Sequence, residues 1–212
     1  KGRSLDSSFA AAYFPDVIIR DIETNTDVRC PPSVAVLGAY ALNDALGAPW
    51  FAPAGFSRGR LETVRETQVR LEDSNLDDLY SADINSLIGR VGPGVVIFGQ
   101  KTLKAAAGSL DRINVRRLLI NIRRQVRVIA RDTLFPDTSL SETLTNFSAA
   151  VTPLLSQIQQ RRGLQGFRVM IDTSTTTQAD VENYTIRGKI LLQPARSGEF
   201  VSLDFLTGFG DV

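Results

Sequence analysis

Residues 111–135, DRINVRRLLINIRRQVRVIARDTLF, constrain the fold more than any other stretch. Val115, Leu118, Leu119, Ile122, Val126 and Ile129 recur at steps of three and four, the period of one helix face. At about 100° per residue they fall within an arc of roughly 100°. Arg116, Arg117, Arg123, Arg124, Arg127 and Arg131 fall on the opposite arc, and no acidic residue interrupts from Arg112 to Arg131. Ile120 lies inside the arginine arc and Val128 beside it. A face that meets only water has no use for them. The pattern predicts a helix over 114–131 that buries one face in its own domain and offers a basic, partly apolar face to something else. The competing reading is a solvated face whose arginines pair within the chain. Glu62, Glu66, Glu72, Asp73, Asp77, Asp78 and Asp83 would supply the acids.

The whole chain has 212 residues and a net charge of +1, so the arginine-rich face is a local feature. That balance speaks against a dedicated nucleic-acid binder, which carries a basic excess. A nucleic-acid-binding module using the arginine face is still the alternative function, and it predicts binding that weakens steeply with salt. Cys30 is the only cysteine, so an intrachain disulfide is excluded. No apolar run approaches the ~18–20 residues of a membrane span, and no membrane insertion is expected. The chain opens on Lys1 rather than Met, and we expect a piece whose beginning is missing.

No histidine occurs anywhere, which excludes Ser-His-Asp and Cys-His catalysis within this chain and removes the commonest metal ligand. GVVIFGQKT, residues 94–102, approaches a phosphate loop, but Gln100 separates the glycine from the lysine. Val95 to Phe98 read as a buried strand instead of a phosphate cradle, which disfavours an NTPase. We expect no enzyme, no cofactor and no metal site.

Along the chain, residues 14–23 read as one strand, and residues 33–50 as β-like, turning helical around Ala39. Residues 61–78 read as mixed, 82–88 as a short helix closed by Gly89, and 95–99 as a buried strand. Pro136 stops the basic helix. Ser139-x-x-Glu142 is a capping box that opens a second helix over 140–160. Pro153 either kinks that helix or starts another, and the unbroken period favours the kink. Strands are expected at 166–172, 185–193 and 199–206, with a polar loop over 173–184 and a loose tail after Leu206. The fold class is therefore α+β, two long helices on a mostly antiparallel sheet. The expected division is an N-terminal part, 1–100, with the acidic stretch, and a C-terminal domain, 101–212.

These segments also carry a resemblance. RINVRRLLINIRRQVRVIARDTLF, AVTPLLSQIQQRRGLQGFRVMID and IRGKILLQPARSGEFVSLDF follow one another in the C-terminal half. CPPSVAVLGAYALNDALGAPWFAPAG and VVIFGQKTL precede them. In this order they resemble contractile phage tail sheath proteins, a family that includes the sheaths of R-type pyocins and related contractile injection systems. The match runs over roughly residues 9–206, without the N-terminal linking arm of longer sheath subunits.

The resemblance implies a structural subunit that polymerises as stacked hexameric rings, a helical sheath, around an inner tail tube. Contraction then drives the tube through a cell envelope. Implied partners are further copies of the chain, the inner tube protein, and baseplate and tail terminator proteins, with no nucleic acid. The implied location is the virion tail, assembled in the host cytoplasm. Tube contact would fall to Arg116, Arg123, Arg127 and Arg131, or to Arg161 and Arg162. Strand pairing between subunits would fall to the last strand, Glu199, Phe200, Val201, Ser202, Leu203, Asp204 and Phe205, whose edge leaves backbone groups unpaired.

Overall fold

A computed structural model describes residues 5–90, 94–132, 139–172, 175–183 and 187–195. The first half builds β1 (Ala12–Phe14), β2 (Val17–Arg20), β3 (Asp27–Cys30), α1 (Pro32–Leu46), β4 (Arg60–Leu61), β5 (Val64–Thr67), α2 (Asp73–Ser81), β6 (Ile84–Arg90) and β7 (Gly94–Phe98). The second builds α3 (Ile113–Asp132), α4 (Leu140–Gln160), β8 (Leu164–Met170), α5 (Gln178–Glu182) and β9 (Lys189–Pro194). The fold is α+β. Among the described residues the strands form sheets ordered β1-β6-β7-β4, β3-β2-β5 and β8-β9. Every pairing is antiparallel except that of β1 with β6.

Several elements of the first half differ from expectation. Residues 14–23 are not one strand. Pro15 has no N–H for a ladder, so β1 ends at Phe14 and β2 begins at Val17 in another sheet. The turn after β2 is built by Asp21, whose carboxylate accepts from the Glu23 N–H (3.0 Å) and the Thr24 hydroxyl (2.6 Å). α1 is helical from its first residue, not from Ala39. Pro32 sits in its first turn, where a missing N–H costs nothing, and Val36, Ala39 and Asn43 give it a buried stripe at helical spacing.

Residues 82–88, expected as helix, contain most of β6, which lies between β1 and β7 and is buried on both faces. Its Asn85 is 1% exposed because every polar atom has a partner. Nδ2 donates to the carbonyls of Ala12 (3.1 Å) and Lys101 (2.8 Å), and Oδ1 accepts from the Lys101 N–H (2.6 Å). One side chain thereby ties three segments together. The core of this half joins Val17, Val36, Ala39, Leu61, Val64, Leu87, Val95 and Ile97.

In the second half both long helices form as expected, whereas β8 covers 164–170 in place of 166–172 and β9 covers 189–194 in place of 185–193. α4 runs unbroken through Pro153, whose exposed position lets water serve the carbonyl that a proline cannot. Its capping box forms as read: the Ser139 hydroxyl accepts from the Glu142 N–H (3.4 Å), and the Glu142 carboxylate accepts from the Ser139 N–H (3.1 Å). Ser139→Ala is expected to cost about 1 kcal/mol, visible as a lowered urea midpoint with unchanged slope.

β8 pairs with β9, and Phe167, Val169, Ile190 and Leu192 turn toward α3 and α4. There Ala48, Trp50, Leu118, Ile122, Val151, Leu155, Ile158 and Leu164 close a second core. The polar loop contains a helical turn, α5, capped reciprocally by Thr177 and Asp180. An Arg187 ion pair at 2.6 Å, with the Thr177 hydroxyl and N–H, holds the Asp180 carboxyl down at about 2. The expected helix stop at Pro136, the strand over 199–206 and the loose tail lie outside the described residues.

Candidate functional site

α3 is fixed on its inner side before its outer side is considered. The Ile113 N–H donates to the Gln100 carbonyl (2.8 Å), and Asn114 Nδ2 donates to the Trp50 carbonyl (3.3 Å). Val115, Leu118 and Ile122 are buried, and Val126 and Ile129 pack against the second core. Leu119 is only half-buried, at the edge of the apolar arc.

The opposite face divides its arginines in two groups. Arg116 hydrogen-bonds the Ser8 hydroxyl, and its guanidinium lies 4.1 Å from the Phe9 ring centroid. Burial, and then the like charge of Arg123, push the Arg116 pKa below its usual value. Arg117 grips both carboxylate oxygens of Asp44 (2.7 and 2.6 Å) and lies 4.6 Å from the Tyr40 ring. These two arginines are held by their own chain. Arg123, Arg124, Arg127 and Arg131 are exposed, and none has an ion-pair partner among the described residues. The acids of residues 62–83 therefore do not serve them. Of these acids, Asp83 pairs with Lys101 (3.0 Å). Ile120 and Val128, 49% and 54% exposed, stand among the free arginines.

The other candidates separate in the same way. Arg161 Nη2 donates to the Gly47 carbonyl (3.0 Å), and its guanidinium lies 5.2 Å from the Trp50 ring. Arg162 is exposed, with φ +60° at the turn that ends α4. Glu199, Phe200, Val201, Ser202, Leu203, Asp204 and Phe205 lie outside the described residues. Among the described residues β9 has β8 as its single neighbour, so its other edge is unpaired there. The holders of Arg116 and Arg117 escape sequence reading because Ser8 and Asp44 lie 108 and 73 positions away.

No phosphate cradle exists at residues 94–102. Gly94–Phe98 is β7, and Lys101 Nζ is bound to the Tyr80 carbonyl (2.8 Å) and Asp83. Among the described residues no cluster of three or more histidine, cysteine or carboxylate side chains could hold a metal ion, and no helix is long and apolar enough to cross a membrane.

No family model matches the chain. It is 32% identical over 171 residues to a tail sheath protein of Vibrio phage KVP40, and 28% identical over 176 residues to that of Enterobacteria phage T4. The matches cover 81% and 83% of the chain but 25% and 27% of the relatives, so the chain spans about a quarter of their length. The fold is similar to a chain of the anti-feeding prophage baseplate, with TM-score 0.85 and 24% identity over 96% of this chain and 56% of that one. It is also similar to the sheath complex of an extracellular contractile injection system, PVC, in its contracted state. There the TM-score is 0.84, with 24% identity over 96% of this chain and 57% of that one. At that identity the likeness concerns the fold alone. Over most of its length the chain is therefore similar in sequence to a part of phage tail sheath proteins and similar in fold to both of these solved chains.

Proposed function

We propose that this chain is part of a structural subunit of a contractile sheath, in a phage tail or a related injection machine, with no enzymatic activity. The subunits stack as hexameric rings around an inner tube, and their contraction drives the tube through a cell envelope. Besides its own copies, the subunit meets the tube, the baseplate and the tail terminator. The observation that carries the tube contact is the outer face of α3, where Arg123, Arg124, Arg127 and Arg131 are exposed without carboxylate partners among the described residues. Exposed ion pairs are worth only ~0–1 kcal/mol each. Repeated over many subunits, such pairs hold an extended state and still release when contraction is triggered.

The edge of β9 supports a second contact: a strand from a neighbouring subunit adds to the β8-β9 sheet, with residues 199–205 taking part. Charge reversal at Arg123 and Arg127 tests the first contact. R123E/R127E is expected to keep the parent's melting temperature, because neither side chain packs in the core, and to lose assembly on the tube. Sedimentation with isolated tubes reads the outcome. Undiminished assembly removes these two arginines from the contact.

A further inference from the structure

On the α3 face the arginines are the obvious feature, but they are not its only exposed side chains. Ile120 and Val128 are 49% and 54% exposed. They stand eight positions apart, about 12 Å along the axis. Arg123, Arg124 and Arg127 lie between them along the axis, and Arg131 lies just beyond Val128. Arg116 and Arg117, at the foot of the face, are held by Ser8, Phe9, Asp44 and Tyr40 and do not reach outward. The outer face thus has a row of guanidinium groups without ion-pair partners among the described residues, with Ile120 at its start and Val128 beside its far end.

We infer that Ile120 and Val128 are the grip of this face, and that it fits a protein surface bearing two apolar spots with carboxylates between them. The inference rests on the reading of α3 as the partner-facing helix. Charge complementarity selects the carboxylates. The aliphatics select the apolar spots, because a phosphate backbone would strip water from them and offer nothing apolar in return. A net charge of +1 also supplies no wider basic field for nucleic acid. Exposed charges set the approach rate and the salt dependence of an association. Buried apolar contacts set its residence time and respond little to salt. The division of labour therefore has a signature in the salt titration.

The test measures binding of the full sheath polypeptide to isolated inner tubes from about 50 to about 500 mM NaCl. I120A/V128A keeps good helix formers on an exposed face, so its melting temperature should match the parent's. Its affinity should fall about tenfold or more at every salt concentration, with the slope unchanged. I120L/V128L should restore binding, and R123Q/R127Q should flatten the slope. If I120A/V128A binds like the parent while R123Q/R127Q does not, the inference is overturned and the reading of α3 stands. If both bind like the parent, that reading fails as well. Tighter binding of the parent to labelled duplex DNA than to tubes at about 150 mM salt would also overturn the inference, in favour of a phosphate partner.

Discussion

Leu118→Asp is expected to prevent the second core from forming, under conditions in which Leu119→Asp still folds. Leu118 is 1% exposed and packs with Ile122, Val151, Leu155 and Ile158. No cation in that cluster could pair with a carboxylate. Burying the charge unpaired, together with losing the leucine, costs at least ~4 kcal/mol. A domain has about 5–15 kcal/mol in all. Leu119, one position on, is half-buried and borders the arginine face, so its aspartate reaches water. Sequence periodicity puts both leucines in the buried arc, whereas the structure ranks them. Circular dichroism through a urea titration checks the ranking. A Leu118→Asp variant that unfolds at the parent's midpoint would show that the α3–α4 core is misassigned.

Trp50→Ala should be the next most damaging change, at about 3–5 kcal/mol. The ring is 7% exposed and is contributed by the loop after α1, yet it packs in the core of α3 and α4. Its Nε1–H donates to the Arg161 carbonyl (3.1 Å), and its own carbonyl accepts from Asn114 (3.3 Å). Gly163 leaves room for it: a Cβ there would lie 3.1 Å from two ring atoms and 2.7 Å from Ile158 Cγ2. Trp50→Ala thus removes a large apolar body and leaves the Arg161 carbonyl without its donor. Trp50→Phe keeps most of the apolar body and loses chiefly the hydrogen bond, worth about 1 kcal/mol. The expected order of urea midpoints is parent, Trp50→Phe, Trp50→Ala. Equal midpoints for the two variants would mean that packing at Trp50 contributes little.

What was legible in the sequence was whatever local chemistry decides. α4 occupies 140–160 as read, because its period is unbroken and its cap is a four-residue signal. α3 differs from the expected 114–131 by one residue at each end. β6 was not legible. Asn85 and Ser86 look like surface residues until the carbonyls of Ala12, Lys101 and Phe98 come within bonding distance, and those partners come from other segments. The β-branched Val34 and Val36 disguised the start of α1, where Pro32 and the long-range burial of Val36 prevail. At the candidate site the basic, partly apolar face was legible, and its division was not. Only the fold reveals that Arg116, Arg117 and Arg161 are held at home while Arg123, Arg127 and Arg131 have no ion-pair partner among the described residues.

The most direct measurement of the central claim is a cryo-electron microscopy map of extended particles assembled from the full sheath polypeptide on its tube. The account predicts α3 on the inner wall, with Arg123, Arg127 and Arg131 at ion-pair distance from tube carboxylates and Ile120 and Val128 covered. A map that placed the outer face of α3 against solvent, or against another sheath subunit, would contradict it.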